Sequence, residues 1–241
     1  MAKICLPPFS RVAIGSFYVP AHLRPTAPIA ADAVLVGDPG RALLLAQELL
    51  EEPKMSNHAR GLWGYSGQTP AGEALTIQAT GIGGPSAALV LDDLAELGVR
   101  RVVRVGICFG SGDCSLGELV LVSAAIAAGG SAASLGIAIG ETVAPDGDLT
   151  GRVGGALGED GRSAAIASVD AHPDERALLS GVAAADMQTV SLLARAHSLG
   201  IAAAAILIVA EKSGGDKDLE KEALETAEKR AGRAASAALS A

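Results

Sequence analysis

Short apolar runs that stop at glycine and give way to helical spacing recur along this chain, and that rhythm most restricts its fold. Ala33–Val36 ends at Gly37-Asp38-Pro39-Gly40 and is followed by a helical pattern over Arg41–Glu52. Leu75–Ala79 closes at Gly81-Ile82-Gly83-Gly84-Pro85, after which Ser86 opens a helix with Leu89, Val90, Leu94 and Leu97 at a three- to four-residue spacing. Gly98 stops that helix and Arg101–Gly106 is the next strand. Leu119–Ile126, Ser163–Val169 and the wholly apolar Ile201–Ala210 predict three more strands. Met187–Ser198 and Asp218–Leu239 predict helices, the second with Leu219, Leu224, Ala227, Ala231 and Leu239 in a stripe among charges. Ile137–Gly161 is rich in Gly and Asp and reads as irregular loops. Strands alternating with helices predict the α/β class, with a largely parallel sheet covered on both faces. No repeat or low-complexity linker divides the chain, which reads as one domain.

Only three Phe, two Tyr and one Trp occur in 241 residues, while 49% are hydrophobic. The core must therefore be Ala, Val, Leu and Ile with closely packed backbone. The formal net charge of −8 argues against a general nucleic-acid or membrane-surface binder. Leu119–Gly140 is 22 residues without a charge, long enough for a membrane span of about 20. Its four glycines and three serines favour two buried strands joined at Gly129-Gly130. Pro7, Pro8 and Arg11 break the apolar N-terminus, so no signal-peptide core is expected and a cytoplasmic location is. Cys5, Cys108 and Cys114 form neither a disulfide framework nor a zinc spacing.

Four features suggest chemistry, each beside a plainer reading. Gly37–Arg41 joins a strand to a helix, where free amides and an arginine suit an anion, although ordinary turns look the same. The glycines at 81, 83 and 84 let the backbone approach a ligand, but they fit neither the dinucleotide fingerprint nor a Walker loop. Arg104 lies inside the apolar strand Val102–Gly106, where a guanidinium must either pair with a carboxylate or await an anionic ligand. Glu211 follows the buried strand Ile201–Ala210 and is placed for proton transfer or for a surface ion pair with Lys212. Asp186-Met187-Gln188 opens a helix, as a capping segment would.

In order, VGDPGRALLLAQELL, NHARGLWGYSG, TGIGGPSAALVLDDLAELGVRRVVRVG, GELVLV, ADMQTVSLLA and ILIVAEKSGG resemble the nucleoside phosphorylase family. The resemblance is closest to the hexameric purine nucleoside, methylthioadenosine and uridine phosphorylases. It covers about Pro20 to the C-terminus and leaves residues 1–19 as an extension. It implies a three-layer fold with a mixed, largely parallel twisted sheet, and a homodimer at minimum with a hexamer as the expected assembly. By resemblance, phosphate (a co-substrate, with no cofactor or metal) is held by Gly37, Arg41, Arg104 and the backbone of Ile107, with Arg60 supplied by a neighbouring subunit. His22, also from a neighbour, matches a ribose ligand, and Met187 and Gln188 match the pair that binds the sugar. Cys108, Phe109, His172 and Ala185 match base-pocket positions, and Glu211 the acid that protonates the leaving purine. Gln188 stands where the family has Glu, Ile107 where it has Ser or Thr, and Phe109 where Gly is usual; Glu211 replaces the Asp of the purine enzymes. The implied reaction is reversible phosphorolysis of a purine nucleoside to free base and ribose 1-phosphate. A uridine phosphorylase, or a non-catalytic nucleoside- or phosphate-binding member, is the alternative.

Overall fold

The computed structural model describes residues 20–213 and 218–240, so the expected extension over 1–19 lies outside the described residues. The first unit is β1 (Asp32–Val36), a tight turn and α1 (Pro39–Leu49). Asp38 caps α1 by accepting the Arg41 amide proton at 2.8 Å, and Pro39 occupies the first turn, where no amide donor is missed. The chain continues through β2 (Glu51–Asn57), β3 (Gly64–Gln68), β4 (Ala74–Ala79) and α2 (Gly83–Glu96). Next come β5 (Arg101–Gly110), β6 (Leu119–Ala127), β7 (Thr142–Val143) and α3 (Gly147–Leu157). β8 (Gly161–Ser168), β9 (Ala184–Asp186), α4 (Thr189–Leu199), β10 (Ala202–Lys212) and α5 (Lys221–Ser240) complete it.

All ten strands join one mixed sheet. At its centre β4, β1, β5 and β10 run parallel, while β2, β3 and β4 form an antiparallel meander at one edge. β10 also pairs with β6, and β6, β8, β9 and β5 pair in turn, so these five strands close into a ring. Period-two alternation sends Ala33 and Leu35 to one apolar core with α2 and α4, and Val34 and Val36 to another with α1, α3 and α5. Helices thus cover both faces. Among the described residues no helix is long and apolar enough to cross a membrane.

Three expectations change. The stretch expected to be irregular contains α3, capped by Asp146. Its glycines hide it in sequence, yet Gly154 packs toward the sheet: a methyl group there would sit 3.2 Å from Leu121 Cδ2. The charge-free stretch 119–140 holds one strand, β6, and then a short 3₁₀ turn at Ser131–Leu135 in place of a second strand. α1 stops at Leu49, and Glu51 and Glu52 belong to β2.

Candidate active site

A cavity of about 710 Å³ opens at the ends of β1, β5 and β10, among the turn after β4 and the residues leading into α4. Ligands commonly bind in open α/β sheets at this position. It gathers most of the residues singled out above: Gly37, Arg41, Arg60, Arg104, Ile107, Cys108, Phe109, His172, Met187, Gln188 and Glu211. His22 and Ala185 are not among its lining residues. Ala185 is wholly buried, paired with Phe109 and Ala167 across β9. The backbone around His22 is fixed elsewhere, since the Asp93 carboxylate accepts the amides of Ala21, His22 and Leu23 at 2.7–3.0 Å. Arg60, assigned by resemblance to a neighbouring subunit's site, also lines the cavity of its own chain. It lies in a 3₁₀ turn with φ of 59°, in the left-handed region.

Arg104 is 4% exposed, and its three nitrogens all find partners. Nη1 donates to Gln188 Oε1 at 2.6 Å, Nη2 to Asp186 Oδ2 at 3.0 Å and Nε to Thr189 Oγ1 at 3.2 Å. The sequence left open whether Arg104 pairs with a carboxylate; it does, and it lines the cavity as well. Burial pulls its pKa below the ordinary arginine value, while Asp186 acts in the opposite direction. Asp186 is a hub. It also accepts the Ser168 hydroxyl, the Thr189 hydroxyl and the Thr189 amide, and so satisfies the first amide of α4.

Gly106 explains how the guanidinium fits. Two residues along the same face of β5, it lies under the folded-back Arg104 side chain. A Cβ there would come within 2.6 Å of Nη2 and 2.8 Å of Cζ, with Leu207 Cδ2 at 2.9 Å behind. Gly106→Ala should therefore displace the guanidinium and cost about 1–3 kcal/mol, as overpacked cores do. Urea unfolding measures this, and an unchanged midpoint would mean that the guanidinium moves aside freely.

The other buried arginine is also paired. Arg41 Nε donates to Glu228 Oε1 of α5 at 2.5 Å, with both side chains under a tenth exposed. Arg60 differs, being exposed and without an ion-pair partner among the described residues. The helix N-terminus at Pro39 faces the cavity with Asp38 beside it. Three arginines thus meet three acids on the lining (Asp38, Asp186 and Glu211), with Glu228 behind Arg41.

Gln188 is 4% exposed and both ends of its amide are hydrogen-bonded. Oε1 accepts from Arg104 and from Thr80 Oγ1, and Nε2 donates to the Gly81 carbonyl at 2.5 Å. Gly81 has φ of +74°, which a residue with a side chain adopts only under strain. On the opposite wall, the pairing of β10 with β5 shifts between Val209 and Glu211. This bulge turns Glu211 toward the cavity, a common use of bulges beside sites. Glu211 Oε1 lies 3.4 Å from His172 Nε2. Cys108 is buried and donates to the Ile208 carbonyl at 3.5 Å; burial pushes its thiol pKa well up, so it stays neutral. Ile107, at 41% exposure, and Ile82, at 83%, make part of the lining apolar.

Sequence reasoning missed Thr80, Thr189 and Glu228. Glu228 carried a signal, because it stands four residues after Leu224 and three before Ala231 on the apolar stripe of the last helix. A carboxylate there needs a buried cation.

Residues 32–241 match the Phosphorylase superfamily. A purine nucleoside phosphorylase DeoD-type of Oceanobacillus iheyensis is 43% identical over 81 residues, 33% of this chain and 34% of that protein. One from Clostridium perfringens is 39% identical over 95 residues, 39% of this chain and 40% of that protein. The match thus spans about a third to two fifths of these curated relatives. The solved structure of a uridine phosphorylase from Vibrio fischeri superposes with a TM-score of 0.76 at 22% identity, covering 88% of this chain and 92% of that one. That likeness shows a common fold.

Proposed function

This chain belongs to the Phosphorylase superfamily, and from that premise we propose that it cleaves a purine nucleoside with inorganic phosphate, giving free base and ribose 1-phosphate. The observation that carries this reading is the placement of Arg41, Arg60 and Arg104 in one cavity with Glu211. Phosphorolysis passes through a cationic sugar, so it needs an anionic nucleophile held on one side and a proton for the departing base on the other. Arginine forks suit phosphate, and Glu211 is the acid. Arg60 is the guanidinium freest to take phosphate, because Arg41 and Arg104 already carry carboxylates. Gly37 and the backbone of Ile107 complete the phosphate side. Met187 and Gln188 face the sugar, and Cys108, Phe109 and His172 the base. The curated relatives named as purine enzymes support the purine reading. His22 serves the sugar of a neighbour's site in the homo-oligomer we propose, a dimer at least and a hexamer by family resemblance.

The test is chromatography of inosine, adenosine, methylthioadenosine and uridine after incubation with the protein, with and without phosphate. A purine base released only with phosphate is the expected result. Release without phosphate would make the protein a nucleosidase, and uridine cleavage alone would transfer the substrate to the pyrimidines. Phosphate should also stabilise the fold, by about 2.7 kcal/mol at a hundred times Kd. Arg60→Ala, an exposed change, should remove most of that gain in thermal melting; an undiminished gain would take Arg60 out of the phosphate site. A second reading, a non-catalytic nucleoside-binding member, is favoured by Gln188, whose amide is spent on Arg104, Thr80 and Gly81. No turnover in the panel, with binding retained, would establish it.

A further inference from the structure

We propose that His172 and Glu211 share one proton and act as a unit that delivers it to N7 of the leaving purine, with His172 as the positioning residue that keeps Glu211 supplied. The inference rests on the reading of Glu211 as the leaving-group acid.

The geometry begins with the imidazole. His172 Nδ1 lies 3.1 Å from the Pro173 carbonyl, which can only accept, so Nδ1 carries the hydrogen of that contact. That leaves Nε2 facing Glu211 Oε1 at 3.4 Å. If the pair holds one proton, two arrangements are open: imidazolium beside carboxylate, or neutral imidazole beside carboxylic acid. Both keep a proton between Nε2 and Oε1, on the cavity wall. Two charged neighbours on the same segments are engaged elsewhere. Lys212 Nζ donates to the Cys114 carbonyl at 3.0 Å, and Asp174 is bridged to Arg176. Asp170 accepts the amides of Gly130 and Ser131, which fixes the start of the His172 segment. Glu211 is about one-third exposed and His172 nearly three-quarters, so the imidazole has direct access to bulk water.

The step balances. The glycosidic C1′–N9 bond breaks and its electron pair passes into the base. Glu211 gives the pair's proton to N7, while a phosphate oxygen forms the new bond to C1′. The pair is left as neutral His172 with Nδ1–H still on Pro173, beside the Glu211 carboxylate. The phosphate monoester loses its proton to solvent, and the exposed imidazole regains one from solvent.

The test compares guanosine with a guanosine methylated at N7, whose base departs neutral with no proton supplied. In the presence of phosphate, His172→Gln and Glu211→Gln should each lower kcat on guanosine about 10²-fold, within the usual range for general acid catalysis. The double variant should be no slower than the slower single one, as expected of residues that act as a unit. On the methylated nucleoside the loss in kcat for all three should be at least about tenfold smaller than on guanosine. Equal losses on both substrates would make His172 a stacking or shape residue and overturn the proposal, as would an additive double variant. If the wild type cleaves neither substrate, the phosphorolysis reading itself fails and the pair's role with it. Thermal melting of each variant checks that the fold is retained.

Discussion

Asp186→Ala should cost about 3–5 kcal/mol of stability, the range for breaking a buried ion pair from one side. The carboxylate is 1% exposed and holds Arg104, the Ser168 hydroxyl, and both the hydroxyl and the amide of Thr189. Its removal leaves a buried guanidinium without a counter-charge and the first amide of α4 without its acceptor. In a chain of this size each kcal/mol moves the melting midpoint by about 2–4 °C, so a fall of about 10 °C is expected. Asp186→Asn keeps one acceptor oxygen, enough for either Ser168 at Oδ1 or Thr189 and Arg104 at Oδ2, and loses the charge, so its loss should be smaller than that of Asp186→Ala. Urea unfolding of both variants measures the difference. A loss under about 1 kcal/mol for Asp186→Ala would mean that Gln188 and water satisfy Arg104 unaided.

Gln188→Glu should pull stability and catalysis in opposite directions. Glutamate keeps the bonds from Arg104 and Thr80 and places a negative charge beside the proposed sugar subsite. Its second oxygen, however, meets the Gly81 carbonyl where the amide now donates at 2.5 Å. Two acceptors face to face, unsatisfied in a buried place, cost about 1–3 kcal/mol. For the proposed reaction the added charge is present where a cationic sugar develops. Preorganised groups of this kind are worth about 10²–10³ in rate. A rise in kcat with KM little changed, together with a lower melting temperature, is therefore the expected pair of results. A lower melting temperature with unchanged or reduced kcat would show that the pocket is built around the amide. The two readouts are independent, and the thermal one holds whatever the substrate.

The interior strands were legible because β1, β4, β5 and β10 are buried on both faces and so read as largely apolar runs. β2 was not, because its first five residues are exposed, it contains Pro53, and edge pairing leaves no alternation to read. α3 was hidden by Gly147, Gly151, Gly154 and Gly155, and β9 is only three residues long. In the site, the residues at strand ends could be picked out because a charge stands out against an apolar run. Their partners could not. Asp186 lies 82 residues from Arg104, and Glu228 lies 187 from Arg41, separations that no local pattern spans. The engagement of the Gln188 amide is likewise a fact of three segments meeting, namely Thr80-Gly81, Arg104 and the start of α4.

The closed ring of strands also dictates an order of events during synthesis. β5 finds one neighbour, β1, already made along the start of one edge, but β9 completes that edge at Phe109–Gly110 and β10 pairs with the whole of the other, and both lie about 75 to 110 residues further along the chain. Until residue 212 has left the ribosome, that side of β5 presents Val102–Phe109 with its amides and carbonyls unmatched. Pairings between such distant segments form slowly and expose sticky edges meanwhile. One wall of the cavity is assembled last: Gln188 opens α4 and Glu211 sits at the end of β10. A nascent chain therefore carries its arginines long before it carries the residues that neutralise and complete them.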